Sequence, residues 1–541
     1  VIDLTVQAAG HPSAFRQFLE THLASRQNAA RRLHPQSLFP PPSPGKTNRQ
    51  LQAEAFYRLG TLNSEIGLYE QAMLQFRQAV ALDPLAAAHH AALGHSLQQL
   101  GRGADAVLCY REAVRRMPGN AGLLNGLGAS LIQARRFSEA VPPLVEAIRV
   151  HPEYFEAFNN LGTALLEQGE YDDALECLGH AVRLRPGHAP AHNNFGAALE
   201  RLGRIPEALA EYGWAIQLQP DYVQAHINHG MALLLAGDFA HGWPEYEWRL
   251  KAGARRQPGS GVPAWDGSPL DGKTILLHSE QGLGDTIQFI RYAPLLERLG
   301  ATVLLQCQPR LVPLLSSLPG GARVFAAGAE PPPHDCHLPL LSLPRMFRTT
   351  LDTIPAEIPY LRVPEERVRA WNARLGPRSG GLRVGLVWAG NRNQDNDHRR
   401  SLGLAGFAPL ATVPGIRFFS LQKGPQAAEL SPHGLAVEKV ERESGSILDT
   451  AAILKNLDLL ISVDTMPAHL AGALGRPVWT LLPFAPDWRW MRDRSDTPWY
   501  PSMRLFRQPR PGDWASVMAS VAEQLRIRPM DSFKSLDFRP I

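Results

Sequence analysis

Hydrophobic and small residues recur at a fixed interval through the first half of the chain and gather into short unbroken runs in the second. The interval is 34 residues: Gly60, Gly94, Gly128, Gly162 and Gly196 keep it, Gly230 continues it, and Pro84, Pro118, Pro152, Pro186 and Pro220 close each step. Small residues stand twelve positions after each phased glycine, at Ala72, Ala106, Ala140, Ala174, Ala208 and then Gly242, and seven later at Ala79, Ala113, Ala147, Ala181 and Ala215. Small residues at those phases let paired helices approach closely. The pattern predicts an all-α helix–turn–helix solenoid over 51–254, with repeats 51–84, 85–118, 119–152, 153–186, 187–220 and a degenerate sixth at 221–254. The sixth breaks the rule with Arg249 and carries Trp243, Tyr246 and Trp248, as a terminal repeat docked on another domain would.

Ahead of the solenoid, Phe15, Phe18, Leu19 and Leu23 share one face of an amphipathic helix expected over 12–33. The proline cluster from Pro35 to Pro44 cannot continue it, because proline lacks the donor and clashes with the preceding turn, so 1–50 reads as helix plus linker. After a second linker (255–271) the runs "TILLHS" (274–279), "ATVLLQC" (301–307) and "ARVFAA" (322–327) predict strands, with a helix from about Thr286 to Leu299. A second set follows at "LRVGLVW" (382–388), "IRFFSL" (416–421), "LDLLISV" (457–463) and "PVWTLL" (477–482). Continuous apolar strands alternating with helices predict parallel sheets covered on both faces. The two sets predict two Rossmann-like lobes, 272–376 and 377–526, with a cleft between them and a tail at 527–541. Ligands of such sheets sit beyond the carboxyl ends of strands, which directs attention to the loops after 279, 388, 421, 463 and 482.

Composition changes this picture little. At 541 residues the chain exceeds a single core, and 44% hydrophobic with 20% charged residues is ordinary for a globular protein. A net charge of +4 is too mild to argue for nucleic acid. Cys109, Cys177, Cys307 and Cys336 are scattered without metal-ligand spacing, which favours a reducing compartment. No apolar run approaches the ~18–20 residues of a membrane span. No leader is recognisable after Val1, and a cytoplasmic location is the expectation.

The strand-end loops carry the chemistry. In "SEQGLGDT" (279–286), Gly282 and Gly284 permit a sharp turn and close ligand approach, and Asp285 opens a helix either as a cap or as a reactive carboxylate. In "SVDTMPAHLAGALGRPV" (462–478), Asp464 is expected to cap a helix containing His469. Thr465 and the N–H of Met466 stand at its positive end, a ready anion site. Arg399, Arg400 and Ser401 in the polar loop 388–402, and Lys423 after the next strand, are candidate diphosphate partners. Phe484, Trp488 and Trp490 stand among arginines, where they either stack a base or pack a core. Two positions before the phased glycine, Asn160, Asn194 and Asn228 form a ladder that either pairs with the backbone of an extended ligand or bridges neighbouring helices.

Residues 51–254 resemble the tetratricopeptide (TPR) family, whose solenoids bind peptides or proteins on a concave face; a similar asparagine ladder is familiar in TPR-bearing O-GlcNAc transferases. Residues 272–526 resemble the heptosyltransferase-like glycosyltransferases of the GT-B fold, on "GLGD" and on "VDT-x-x-AHLAGALGRPV". The resemblance implies that Asp285 is the base for an acceptor hydroxyl; were the base elsewhere, Glu280 in the same loop is the next candidate. It also implies that Asp464, Thr465 and His469 lie on the donor's phosphate and sugar, with Lys423 and Arg400 matching by loop position; Met466 and Ser401 join the donor side from the anion-suited loops named above. Met466-Pro467 departs from the small pair usual there. The whole chain looks like a bacterial TPR–glycosyltransferase fusion, similar to enzymes that glycosylate flagellin. That implies a nucleotide-sugar co-substrate, no cofactor, no metal and a protein acceptor. Two alternatives stand beside it: a lipopolysaccharide-type heptosyltransferase, and a non-catalytic TPR adaptor with a degenerate transferase domain.

Overall fold

The computed structural model describes residues 47–252, 261–378, 381–392, 397–429, 431–432, 434–440 and 445–527. The helix expected at 12–33, the 35–44 linker, the start of the 255–271 linker, the middle of the 388–402 loop and the tail after Ile527 lie outside the described residues. The chain divides into two compact units, Val1–Ala198 and Leu199–Ile541.

The first unit is built from antiparallel helix pairs: Asn48–Glu65 with Tyr69–Leu82, Ala87–Gln99 with Gly103–Arg116, Ala121–Gln133 with Phe137–Val150, and Phe155–Gln168 with Tyr171–Leu184. The second helix of each pair starts 34 residues after the last one did, and the phased prolines sit in the turns between repeats, where no helical N–H is needed. The phased glycines have a packing reason. A Cβ added at Gly60 would fall 2.7 Å from Phe76, at Gly94 2.8 Å from Tyr110 and at Gly128 2.4 Å from Leu144. Each glycine therefore receives the large side chain of the partner helix, and the twice-repeated alanines are fully buried beside it.

The second unit starts inside the fifth repeat, where the sequence period alone places the boundary at 254. Residues 199–252 share a core with the sheets that follow. The short helix Phe239–Tyr246 delivers Trp243, whose Nε1 donates to the Thr349 carbonyl at 3.0 Å and whose ring meets Trp488 edge-on at 5.3 Å. Arg249, on the following turn, bonds Glu247, Glu280 and Ser342. A 34-residue period reveals the repeats and is silent on which core the last ones join.

Among the described residues, ten parallel-paired strands form two sheets. Strands β1 (Thr274–His278), β2 (Thr302–Cys307), β3 (Arg323–Ala326) and β4 (Cys336–Pro339) are ordered β3-β2-β1-β4. Strands β5 (Leu382–Val387), β6 (Ile416–Ser420), β7 (Val437–Lys439), β8 (Leu459–Val463), β9 (Val478–Leu482) and β10 (Met503–Arg507) are ordered β10-β9-β8-β5-β6-β7. The seven apolar runs of the sequence all became strands. Strands β4, β7 and β10 did not announce themselves: "CHLP" contains a proline, "VEK" is a short polar edge, and "MRLFR" interleaves arginine. The single helix expected from Thr286 to Leu299 is instead Leu283–Phe289, a 3-10 turn and Ala293–Arg298, interrupted where Pro294 removes a donor. No described helix is long and apolar enough to cross a membrane.

Candidate functional site

Strand order selects the loops that can hold a ligand. In the larger sheet the chain leaves β5 for β6 and β7, then returns to lay β8 on the other side of β5. The loops above β5 and β8 therefore run in opposite directions and leave a crevice at the carboxyl ends. In the smaller sheet the same reversal separates β1 from β4. The residues 388–402, 464–469 and 279–286 all stand at these reversals.

Asp285 is not the helix cap. Gly282 is the N-cap of Leu283–Phe289, and Asp285, at the third helical position, reaches back to accept the Gly282 N–H at 2.8 Å. Its other oxygen accepts from Arg489 Nη2 at 2.5 Å. Burial disfavours the Arg489 charge, but Asp487 and Asp285 more than offset it and hold its pKa above the usual arginine range. Glu280, the next candidate base, is paired with Arg249; burial nevertheless pushes its carboxyl pKa up.

Asp464 does not cap its helix either. Thr465 is the N-cap of Met466–Ala473, without a side-chain cap bond, and its hydroxyl lies 3.1 Å from both the Val463 carbonyl and Ser462 Oγ. Pro467 occupies the first turn, where its missing donor costs nothing. Met466 is half-buried against the core. His469 is buried, with Nδ1 3.1 Å from the Tyr500 hydroxyl and Nε2 3.7 Å from Asp464 Oδ1. Burial works to raise the Asp464 pKa, yet the neighbouring His469, before any other group, outweighs it and leaves it below the usual aspartate range.

The segment after β1 and the segment after β8 meet. A Cβ on Gly284 would fall 2.8 Å from His469 Cδ2, so the helix after β1 and the helix after β8 are in direct contact through these two residues. Ser401 is committed to its own loop: its hydroxyl donates to Asp397 at 3.0 Å and accepts the Gly390 N–H at 3.0 Å. Arg400 is half-buried, with Nε 3.5 Å from Asp397 Oδ1. Lys423 is half-buried at the end of β6; burial first, and the Arg310 charge second, push its ammonium pKa down.

Trp488 and Trp490 are core residues, 3% and 0% exposed, and Phe484 lies under Arg492 at 4.8 Å. In the solenoid, Asn160 donates to Asn125 Oδ1 at 2.8 Å and Asn194 to Asn159 Oδ1 at 3.1 Å, so both bridge consecutive inner helices. Asn228 accepts from Gln224 at 2.8 Å within its own helix. Sequence reasoning did not single out Arg489 or Gln288 on the helix after β1. Nothing in the spacing links them, because they lie 201 positions apart.

Tetratricopeptide repeat models match residues 57–121, 91–152 and 153–221, and this part of the chain is built of those repeats. Among curated proteins, Protein FlbA of Caulobacter vibrioides is 28% identical over 291 residues, 48% of this chain and 48% of FlbA. The chain thus spans about half the length of the curated relative it matches. Similar solved structures include YrrB, described as a TPR protein with an unusual peptide-binding site (26% identity, 32% of this chain and 89% of that one, TM-score 0.28). They also include TTC0263, a TPR protein of Thermus thermophilus (24%, 34% and 99%, TM-score 0.30), and PilF of Pseudomonas aeruginosa (25%, 38% and 93%, TM-score 0.33).

Proposed function

We propose that the chain is a GT-B glycosyltransferase that moves a sugar from a nucleotide-sugar donor to a hydroxyl of a protein held by its TPR solenoid. The observation that carries this reading is the contact between Gly284 and His469. It unites the turn bearing Asp285 with the helix start bearing Thr465, each at the carboxyl end of a strand beside a topological reversal.

In this reading the donor's diphosphate lies at the N-terminus of Met466–Ala473, with Arg400 and Lys423 as its cations. Asp285 removes the proton as the acceptor oxygen attacks the anomeric carbon and the bond from that carbon to the phosphate oxygen breaks. The charge that develops on the leaving phosphate falls to Arg400, Lys423 and the helix dipole, a fixed set of donors in place of a metal ion. Asp464 holds the His469 ring beside Gly284. Flagellin is the acceptor to which the family resemblance points.

One observation favours the adaptor reading. Both oxygens of Asp285 already have partners, Arg489 and the Gly282 N–H, and the Ser401 hydroxyl serves its own loop. Calorimetry with UDP-, GDP-, ADP- and CMP-linked sugars separates the readings. A transferase binds one of them and loses it on Thr465→Glu, which places a like charge at the phosphate position; an adaptor binds none.

A further inference from the structure

The loop after β9 sends one charged side chain from the second lobe into the first. The Arg489 side chain is 7% exposed, and its donors go in three directions: Nη2 to Asp285 Oδ1 at 2.5 Å, Nη1 to Asp487 Oδ1 at 2.8 Å and Nε to Gln288 Oε1 at 2.9 Å. Its flat face rests 4.3 Å from Trp488 and 5.7 Å from Phe289. Asp285 and Gln288 are three positions apart and share a helix face, so one planar fork grips two consecutive points of the helix that carries Asp285. A guanidinium suits this task and an ammonium does not, because its donors diverge in one fixed plane.

The Asp285 carboxylate is thereby fixed from two sides. The Gly282 N–H holds one oxygen from its own turn, and Arg489 holds the other from the opposite lobe. Each carboxylate oxygen has two acceptor sites, so both retain one for an incoming hydroxyl. Asp487 supplies a second carboxylate for the cation, so Arg489 does not depend on Asp285 alone for its charge balance.

We propose that Arg489 is the positioning residue of this site: it sets the plane of the Asp285 carboxylate from the donor-side lobe, so that the base is aligned only while the two lobes keep this contact. The inference rests on the transferase reading given above. Arg489 acts through Asp285 and touches neither substrate.

The test is a double-mutant cycle on the full chain, with sugar transfer and donor affinity both measured. Arg489→Gln lowers kcat by about 10²-fold, the scale of a misplaced catalytic group, and leaves donor affinity within about twofold. Asp285→Asn lowers kcat as well, and adding Arg489→Gln to it lowers kcat no further, because the two act as one unit. Arg489→Lys keeps the charge but not the fork; it folds, and it restores only part of the rate. If Arg489→Gln does not fold, Arg489→Lys in the same cycle carries the test. A rate unchanged in Arg489→Gln, or an undiminished further loss in the Asp285→Asn background, overturns the positioning role while the transferase reading stands. Absence of transfer by the wild-type chain with every donor overturns the reading itself.

Discussion

Gly284 and His469 are in contact, with no room for a side chain between them: a Cβ on the glycine would fall 2.8 Å from the imidazole Cδ2. The ring has little freedom to withdraw, since Trp490 lies 5.3 Å and Tyr500 5.8 Å from it by ring centroids. Gly284 is thus where the smaller sheet's first helix docks on the larger sheet's central helix.

Gly284→Ala is therefore expected to destabilise the second unit by about 1–3 kcal/mol, the cost of forcing a methyl into a packed site. It should weaken donor binding with it. Gly213→Ala is the control, because a Cβ there meets nothing within 4 Å and alanine favours a helix by up to about 1 kcal/mol. Thermal unfolding of the two variants should move in opposite directions. A Gly284→Ala protein as stable as wild type would show that the two helices do not rely on this contact.

A second prediction concerns acid. His278 on β1 is 3% exposed, 3.3 Å from His337 on β4, and burial followed by the His337 charge pushes its pKa down to about 4 from 6.5. A depressed folded-state pKa means the neutral ring contributes stability above pH 6.5, and that contribution drains away as pH falls toward 4. The span corresponds to roughly 3 kcal/mol. His278→Gln, which does not titrate, should flatten the fall in stability between pH 6.5 and 4. An identical pH profile for the two proteins would place the acid sensitivity elsewhere.

The asparagine ladder gives a third. Asn160 and Asn194 each bridge to the preceding inner helix, so each removal should cost the solenoid about 0.5–1.5 kcal/mol. Asn228 accepts from Gln224 in its own helix, and removing that bond should cost a similar amount. If the same amides also hold an extended peptide, the triple change to Ala weakens acceptor capture beyond what its stability loss explains. A folded triple variant with unchanged capture assigns the ladder to helix bridging alone.

These residues show where the sequence was readable. The repeat is local, so its helices, turns and close-packed glycines followed from spacing alone. Most of the seven apolar runs were visible because strands covered on both faces are written as continuous apolar runs, although β3 is an edge strand with no fully buried residue. Edge strand β7 and strand β10 are partly polar and gave no such signal. At the site, strand-end position led to Asp285, Asp464 and Thr465, but not to their geometry. Capping fell one residue later than expected at Thr465, and three residues earlier at Gly282; neither residue closes its helix with a side-chain bond, so residue type gave no signal for them. Arg489 was out of reach. Asp285 and Gln288 come from a different lobe, and a charge among tryptophans reads the same whether it is a surface residue or a buried fork.

The most direct test of the account is sugar transfer by wild type and Asp285→Asn, incubated with a panel of nucleotide sugars and the protein captured by the solenoid, with the acceptor's mass measured. Asparagine can replace the Gly282 bond but cannot take a proton at neutral pH. The account predicts a sugar mass added by the wild type, about 10²–10⁴-fold slower addition by Asp285→Asn, and equal donor affinity in both. Addition at the wild-type rate by Asp285→Asn, or none by the wild type with any donor, would contradict it.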